Sequence, residues 1–567
     1  MELSSVVVVP AHDEEQAIAA CLRALGEQTV ARDSFETIVV LDACHDATAD
    51  VVHATASELG LTVHTLPGWG SGVGAARRLG MEAAASQLLA LGRGNGLIAC
   101  TDADSRPARD WLERQLAHLA LGARAIAGLI ELDPHESRAL PPGVLRRRQR
   151  DAADRLGRVR CGDPDARHHH FAGASIGIDA QTYRHVGGLE PLAALEDAAF
   201  AQRLADCAVP ILRPSDVRVQ TSARPTGRAT RGLSVDLDVS IWSEHRRYRA
   251  DDFDARRLAD DHRTGSGAQA SVTVVIPTKE CAATIEGVVR GTVAPLVDLG
   301  LVEEVVVIDS GSADGTAQVA LAAGATVLQQ DEIAAELGPA LGKGDAMWRA
   351  LRMTGSEIVC FLDCDTGYPD PRHLLGLLGP ILSDPSVALV KGAFDRPFVA
   401  GSQHLANEGG RVTELMARPL LNLHAPRLAG FAQPLAGEFS ARRDLLEAIP
   451  FPVGYGVEIA VLLDALERNG LSALAECDLG SRQNRHQPLR ALGEMAYAVL
   501  AAVERRVGNE RSVIGGGYLR PWQDGAIAPV PVHERPPIAS LRGGHSDRGV
   551  PGPLTPAPAV SRSCAAP

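Results

Sequence analysis

The chain has 567 residues, more than one domain normally contains, and its 45% hydrophobic and 22% charged residues are typical of folded globular proteins. Its net charge of −14 excludes proteins that bind nucleic acid or anionic membranes through a basic overall field, so an anionic ligand requires a local cluster of cations. No apolar run approaches the roughly 18–20 residues of a membrane span. We therefore expect no nucleic-acid partner and no membrane span.

The start of the chain and its cysteines bear on where the protein works. A strand-like run begins at Ser5, which leaves no room for a signal peptide, and the ten cysteines include no CxxC pair. We therefore predict a cytoplasmic protein with reduced thiols. Only three of the 56 basic residues are lysines, Lys279, Lys343 and Lys391. Codon bias is one explanation; a need for a compact ammonium at these positions is the other.

Short strands and helices alternate along the chain. Residues 6–9 are a continuous valine run, and residues 17–25 carry apolar side chains at helical spacing. Residues 38–41 form a second apolar run, which a capped helix follows from Asp46 or Thr48. This alternation predicts an α/β fold with a mostly parallel sheet that is covered on both faces. Ligands of such sheets bind beyond the carboxyl ends of the strands.

The same landmarks occur twice in the same order. The matching pairs are Pro10 with Pro277 and Asp42 with Asp309, both 267 residues apart, Gly72-Val73-Gly74 with Gly342-Lys343-Gly344 at 270, and Asp102-Ala103-Asp104 with Asp363-Cys364-Asp365 at 261. Four landmarks at nearly constant separation indicate a tandem duplication of one domain.

The repeat divides the chain into four predicted segments. We predict one domain at 1–250, a polar linker at 251–270, a second domain at 271–510, and a disordered tail rich in glycine and proline at 511–567. Tyr518 and Trp522 are the residues of that tail that could dock on the folded body.

The paired aspartates predict a metal site. Asp363 and Asp365 follow an apolar strand, where two carboxylates can converge on one Mg²⁺ or Mn²⁺ that also takes phosphate oxygens. An isolated pair of this kind would more simply cap a turn, but its recurrence at Asp102 and Asp104 favours metal–diphosphate binding in both copies.

A cation precedes the aspartates in the second copy. Lys343 lies between two glycines at the start of a predicted helix, a setting that favours a diphosphate. The first copy has the uncharged Val73 at this position. Arg224 and Arg228 are therefore candidates for the cation that contacts a diphosphate there. A dinucleotide-binding interpretation of residues 68–74 fails because such glycines should follow the first strand directly.

These motifs resemble those of known families. Both copies are similar to GT-A glycosyltransferases, whose Rossmann-like α/β domain binds a nucleotide-sugar through a DxD motif and a metal ion. Residues 271–508 resemble the glucosyl-3-phosphoglycerate synthase family more specifically. The motifs that carry this resemblance are residues 308–312 (IDSGS), 342–346 (GKGDA), 409–415 (GGRVTEL), 417–421 (ARPLL), 437–438 (GE) and 454–459 (GYGVEI). The fold class is therefore predicted as two tandem GT-A domains.

The resemblance implies roles for the second copy. The donor would be bound by Pro277, Thr278, Lys279, Glu280, Asp309, Ser310, Lys343 and Asp363; the acceptor by Gly410, Arg411, Val412, Thr413, Tyr455 and Arg482; the metal by Asp365 and His486; and Glu458 would act beside the transferred sugar. Two positions depart from the family: Cys281 replaces an acidic residue, and Asn484 replaces the metal-binding histidine. Residues two apart share one face of an extended segment, so His486 could serve as the ligand instead, or as an acceptor contact or structural histidine.

Residues 4–235 resemble the broader glycosyltransferase family two. The motifs are residues 10–15 (PAHDEE), 102–104 (DAD), 187–188 (GG) and 196–197 (ED). The resemblance implies an inverting enzyme in which Asp197 is the base, with an N-capping role for this acid as the alternative. It also implies donor contacts at Pro10, Asp13, Asp42 and Asp102 and a metal contact at Asp104. The three histidines at 168–170 suggest an acceptor loop more than a metal site.

The sequence thus predicts a cytoplasmic tandem glycosyltransferase that depends on Mg²⁺ or Mn²⁺. The second module would transfer glucose with retention from a nucleotide-sugar, UDP-glucose first, to 3-phosphoglycerate, and the first would act on an unknown acceptor. One alternative is mannosyl or other hexosyl transfer to another phosphorylated acceptor, with the first module a non-catalytic scaffold. A nucleotidyltransferase would need a Gly-rich loop with an arginine directly after the first strand, which neither copy has. The sequence is also compatible with a homodimer.

Overall fold

The computed structural model describes residues 3–227, 230–264, 270–366, 369–395, 398–400, 403–405, 410–481, 488–508, 514–523 and 525–541. It divides into two compact units, unit 1 (Met1–Glu244) and unit 2 (His245–Pro567). Among the described residues no helix combines the length and the apolar character needed to cross a membrane.

Unit 1 is a mixed α/β unit. Its strands are β1 (Ser5–Ala11), β2 (Phe35–Asp42), β3 (Val63–Gly68), β4 (Leu97–Cys100), β5 (Ser105–Pro107), β6 (Ala125–Ala127), β7 (Leu129–Leu132), β8 (Ile176–Asp179), β9 (Ile211–Leu212) and β10 (Arg218–Thr221). Its helices are α1 (Ile18–Gly26), α2 (Thr48–Leu59), α3 (Val73–Ala90), α4 (Trp111–Ala120), α5 (Pro142–Arg160), α6 (Ala180–His185), α7 (Glu196–Asp206) and α8 (Leu233–His245).

Seven of these strands form one sheet in the order β3-β2-β1-β4-β8-β6-β9, and β5, β10 and β7 form a second. Strands β1 to β4 are mutually parallel, whereas β8 runs antiparallel between β4 and β6. Val6 and Val8 pack in the core on one face of the sheet, and Val7 and Val9 pack on the other. Both faces are covered, which explains why the first strand is apolar from Val6 to Ala11.

Unit 2 repeats this plan. Its strands are β11 (Arg247–Arg249), β12 (Val272–Thr278), β13 (Glu304–Asp309), β14 (Thr326–Gln329), β15 (Ile358–Phe361), β16 (Leu389–Asp395), β17 (Phe398–Ala400), β18 (Gln403–Leu405), β19 (Phe439–Arg442), β20 (Phe451–Pro452), β21 (Leu474–Ser481), β22 (Gly517–Arg520), β23 (Ala526–Pro529) and β24 (Glu534–Arg535).

The helices of unit 2 are α9 (Ala255–Thr264), α10 (Ile285–Gly287), α11 (Ala294–Asp298), α12 (Thr316–Ala323), α13 (Lys343–Met353), α14 (Pro371–Ser383), α15 (Arg418–His424), α16 (Arg443–Ala448), α17 (Val457–Asn469), α18 (Leu492–Val507) and α19 (Ile538–Leu541), with π-helical turns at Val288–Val293 and Thr413–Ala417. Its main sheet has the order β11-β21-β16-β19-β15-β12-β13-β14. The six strands β14-β13-β12-β15-β19-β16 reproduce the order of β3-β2-β1-β4-β8-β6, including the antiparallel strand. The predicted α/β duplication is confirmed.

The segment predicted as a linker is part of unit 2. Strand β11 pairs with β21, and α9 buries Leu258 and Ala259 in the core of that unit. Residues 251–270 are polar overall, so their composition did not predict that one face of α9 is apolar. Residues 265–269 lie outside the described part of the chain.

Much of the segment expected to be a disordered tail is folded onto unit 2. Strands β22 and β23 form a hairpin, and β24 pairs with β20. Arg535 donates from Nε to Oδ1 of the fully buried Asp345 at 2.6 Å. The proposed docking residues make contacts here: Tyr518 lies against the ring of Tyr497, and Arg490 lies over the ring of Trp522. Short strands and single ion pairs of this kind leave no periodic signal in sequence.

Candidate functional site

The carboxyl ends of the central strands of unit 2 bring together several predicted donor contacts. Pro277 and Thr278 end β12, and the N–H of Ser310 donates to the carbonyl of Thr278 at 3.0 Å. Asp309 ends β13 and is almost fully buried, accepting from Ser312 Oγ at 2.5 Å and from Gln329 Nε2 at 3.1 Å. These hydrogen bonds hold the carboxyl ends of β12 and β13 in place. Lys279, the next residue after β12, is exposed.

The acidic residue after the first strand has the same role in both copies. Glu280 has a left-handed φ of +55° and accepts from the N–H of Ala313 at 2.9 Å; Asp13 has a φ of +49° and accepts from the N–H of His45 at 2.5 Å. Each carboxylate therefore ties the loop after the first strand to the loop after the second. Asp42, the last residue of β2, accepts from backbone N–H groups of the loop that leads into α3, and Pro10 near the end of β1 pairs with Val40 of β2.

A buried cation–carboxylate cluster lies at the centre of the predicted site in unit 2. Nζ of Lys343, the first residue of α13, donates to Asp363 Oδ1 at 2.6 Å and to Glu458 Oε1 at 2.8 Å. Burial acts to lower the pKa of Lys343, but attraction to the two carboxylates outweighs it and raises the pKa above its usual value. A Cβ at Gly437 would overlap both Lys343 Nζ and Asp363, so only glycine leaves room for the cluster.

A second lysine lies nearby. Lys391 on β16 is fully buried, and its Nζ donates to the carbonyl of Ala436 at 2.6 Å and lies 5.0 Å from the ring centroid of Phe439. Burial lowers the pKa of Lys391 to about 7, and Lys343 contributes to the lowering, against the opposing charge of Glu458. The structure thus gathers two of the three lysines at one place.

The residues of unit 2 fit a divalent cation. Asp363 and Asp365 follow β15, and the exposed side chain of Asp365 offers the hard oxygen ligands that Mg²⁺ and Mn²⁺ prefer. His486, predicted as a further ligand, and Arg482, predicted for the acceptor, lie outside the described residues.

A disulfide joins two segments of this site. Cys281 follows Glu280, Cys364 lies between the two aspartates, and their sulfurs are bonded. This corrects the expectation that the cysteines are all reduced thiols. The neighbouring parallel strands β12 and β15 bring together two residues that are 83 positions apart.

The predicted acceptor residues occupy two segments. Gly410, which has a left-handed φ of +70°, Arg411 and Val412 lead into the π-helical turn that begins at the buried Thr413. Tyr455, a residue that is 49% exposed, precedes α17 and stands three residues before Glu458.

Unit 1 builds a similar cluster from a residue that the sequence analysis missed. Arg77 on α3 donates from Nη2 to Asp102 Oδ1 at 2.6 Å and forms an ion pair with Glu196. A Cβ at Gly173 would overlap the guanidinium of Arg77, just as one at Gly437 would overlap Lys343. Arg77 therefore supplies the charge that Val73 lacks, one helical turn further on. The separation of 262 residues between Glu196 and Glu458 was a usable signal.

The other predicted residues of unit 1 have local partners. Asp197, beside Glu196 in the first turn of α7, accepts from the N–H of Ala198 at 2.7 Å. Among the three histidines, His168 Nε2 donates to the carbonyl of Pro214 at 3.0 Å and His170 Nδ1 accepts from the N–H of Ile130 at 3.2 Å. Burial lowers the pKa of His169 to about 4 and that of His170 to about 3, so both rings are neutral at pH 7.

The expected metal contact of unit 1 has an arginine against it. Arg224, considered above as a diphosphate partner, lies with Nη2 3.0 Å from Asp104 Oδ2 and also pairs with Glu14. Burial, together with repulsion from Asp102, raises the pKa of Asp104 to about 7 in spite of Arg224. These residues do not fit a divalent cation, because a guanidinium already lies against Asp104 Oδ2 and joins this carboxylate to that of Glu14. Arg228 lies outside the described residues.

Comparison with known proteins gives a consistent result. The family model "Glycosyl transferase family 2" matches residues 6–179 and 273–426. Glucosyl-3-phosphoglycerate synthase of Mycolicibacterium smegmatis is 42% identical over 277 residues, covering 48% of this chain and 90% of that protein. The Mycobacterium tuberculosis protein of the same name is 42% identical over 287 residues, covering 48% and 86%.

Solved structures include mannosyl-3-phosphoglycerate synthase from Rubrobacter xylanophilus, with 40% identity over 53% of this chain and 98% of that one and a TM-score of 0.48. Another is glucosyl-3-phosphoglycerate synthase from M. tuberculosis in complex with Mn²⁺, UDP-glucose and phosphoglyceric acid, with 39% identity, 51% and 96% coverage and a TM-score of 0.46.

Proposed function

The chain belongs to glycosyl transferase family 2 in both of its units, and from this premise we propose that unit 2 transfers glucose from a nucleotide-sugar, UDP-glucose first, to 3-phosphoglycerate. The protein is a nucleotide-sugar-dependent glycosyltransferase. The observation that carries the specific proposal is the buried cluster of Lys343, Asp363 and Glu458 at the carboxyl ends of the central strands. The curated relatives of this name, matched over most of their own length, support the same acceptor.

The cluster suits the cleavage of a diphosphate ester. Lys343 is a positive charge held in place by two carboxylates, with only 25% of its side chain exposed, and it can stabilise the charge that develops on the leaving diphosphate. Asp363 and Asp365 would hold Mg²⁺ or Mn²⁺, which when bound supplies further neutralisation of that charge. Gly410 to Thr413, with a backbone turn, a hydroxyl and the Arg411 guanidinium, would bind the acceptor phosphate.

We assign retention of configuration to unit 2. Glu458 accepts from Lys343 Nζ at 2.8 Å, so its carboxylate is a charge partner of that ammonium. The acceptor hydroxyl would attack the anomeric carbon from the face that the diphosphate leaves and pass its proton to that departing diphosphate, and positioning supplies most of the acceleration. Unit 1 would be an inverting transferase in which Asp197 is the base. The acceptor proposed for unit 2 does not extend to unit 1, whose acceptor is unknown.

The test is release of UDP from UDP-glucose with Mn²⁺, with and without 3-phosphoglycerate, in the full chain. We expect release that depends on the acceptor and falls by roughly 10²-fold or more in Lys343→Met and Asp365→Asn. Exposed positions outside the site give matched controls, Arg257→Met for the lysine and Asp298→Asn for the aspartate, and these should retain full activity.

Two further readouts distinguish the alternatives. GDP-mannose offered in competition decides between glucosyl and mannosyl transfer, and the anomeric configuration of the product, read by NMR, decides between retention and inversion. Full activity without 3-phosphoglycerate, or full activity in Asp365→Asn, would refute the proposal.

A further inference from the structure

In unit 1 two arginines occupy the carboxylates at which a divalent cation was expected. Arg77 donates to Asp102, and Arg224 contacts Asp104 while its planar fork pairs with both oxygens of Glu14. Both guanidiniums are firmly held. The side chain of Arg77 is 3% exposed, and Arg224 bridges two carboxylates that are largely shielded from water. Displacing Arg224 to admit an ion would leave two shielded carboxylates without this partner, which is costly.

The equivalent position in unit 2 is different. Lys343 reaches Asp363 and Glu458, and the second aspartate, Asp365, has an exposed side chain. In unit 1 the corresponding side chain, Asp104, is only 20% exposed, and a guanidinium lies 3.0 Å from its Oδ2. The two copies share the sheet order and the aspartate pair. The second aspartate is exposed in unit 2 and largely shielded from water in unit 1.

We propose that the donor site of unit 1 binds the diphosphate of its nucleotide-sugar without a divalent cation, through the guanidinium of Arg224, whose side chain is 35% exposed, while the buried Arg77 neutralises Asp102. This inference rests on the proposed function, since it presupposes that unit 1 takes a nucleotide-sugar. A guanidinium matches a phosphate bidentately and keeps its charge at every accessible pH. It carries five N–H donors, and the contacts of Arg224 with Glu14 and Asp104 use three of them. Arg224 therefore has donors to offer a phosphate while it holds the carboxylates.

The experiment measures UDP binding by calorimetry to the full chain in which unit 2 is disabled by Lys343→Met and Asp365→Asn. We expect the same Kd, within twofold, in EDTA and in Mn²⁺. Adding Arg224→Ala should weaken binding roughly tenfold or more, since a hydrogen bond between charged groups is lost. Arg218→Ala, an arginine on β10 that pairs with the exposed Glu131, is the matched control and should leave the Kd unchanged.

The outcomes separate this inference from the proposed function. Binding that requires Mn²⁺ overturns the inference and leaves unit 1 a metal-dependent transferase. No binding of UDP in either condition overturns the inference together with the proposed transferase role of unit 1, whereas the glucosyl transfer proposed for unit 2 is tested by its own assay.

A second measurement does not depend on the disabled chain. Electron paramagnetic resonance of Mn²⁺ with wild-type protein and saturating UDP should count one bound ion per chain, lost in Asp365→Asn alone. A second ion that is lost in Asp104→Asn would contradict the inference.

Discussion

Replacing the buried Lys391 with methionine should make the stability of unit 2 less dependent on pH. Lys391 is fully buried on β16, and its pKa is lowered to about 7, chiefly by that burial. The unfolded chain returns this amine to a pKa of about 10.4. Between these values the unfolded state binds a proton that the folded state does not, so the free energy of unfolding rises with pH.

The size of the effect follows from the same two values. Linkage gives about 1.4 kcal/mol per pH unit for one proton, and because the lysine is half protonated in the folded state at pH 7, the change from pH 7 to pH 9 is about 2 kcal/mol. Methionine removes this contribution at both pH values. The free energy of unfolding of Lys391→Met minus that of wild type should therefore be about 2 kcal/mol larger at pH 7 than at pH 9. Loss of the hydrogen bond to the carbonyl of Ala436 changes the free energy of unfolding by the same amount at both pH values.

Hydrogen exchange followed by mass spectrometry, on peptides that contain β16 and corrected for the intrinsic pH dependence of exchange, measures this difference in the full chain. The matched control is the same substitution at the exposed Lys279, for which the difference from wild type should be the same at both pH values. A Lys391→Met difference that does not change with pH would refute the reasoning, because burial would then not have altered the protonation of the amine.

Three other substitutions test separate features of unit 2. Cys281→Ser should lower the free energy of unfolding by up to about 4 kcal/mol without reductant, from the loss of a cross-link across 83 residues, and should match wild type in dithiothreitol. Gly437→Ala should raise the KM for UDP-glucose roughly tenfold or more, because the added Cβ displaces the Lys343 ammonium. Arg535→Ala should lower the free energy of unfolding by about 1.5–3 kcal/mol and speed proteolysis near the C-terminus, since the buried Asp345 loses a charged hydrogen bond.

Each of these has its own control and contradicting result. Equal stability of Cys281→Ser and wild type without reductant would show that the sulfurs are not bonded in solution. Gly355→Ala, at a glycine whose added Cβ meets open space, should leave the KM unchanged, and the same result for Gly437→Ala would contradict the crowding argument. Arg468→Ala, at an exposed arginine of α17, should leave proteolysis unchanged, and equal proteolysis in Arg535→Ala would show that the C-terminal segment does not need this ion pair.

The duplicated sheet could be predicted because its signal is local and repeated. The valine run at 6–9 is continuous since both faces of β1 are covered, and the aspartates follow their strands at nearly constant separation. The folded part of the tail could not be predicted in this way. Strand β24 has two residues, and they are anchored by ion pairs of Glu534 with Arg506 and of Arg535 with Asp345, a carboxylate 190 positions earlier. Such an anchor is set by tertiary contacts and has no periodicity to detect.

The cation of unit 1 escaped prediction for a different reason. Alignment of the two copies compares Val73 with Lys343, each the first residue of its helix, and finds no charge. Residues four apart share one face of a helix, so Arg77 can present a longer side chain at the place that the Lys343 ammonium reaches from one turn earlier. Gly173 and Gly437, which leave room for the two cations, mark that shared place independently of the helix. What the duplication preserved is therefore a charge at a point in space beside an aspartate and a glutamate, and comparison by sequence position misses a charge that has moved by one helical turn.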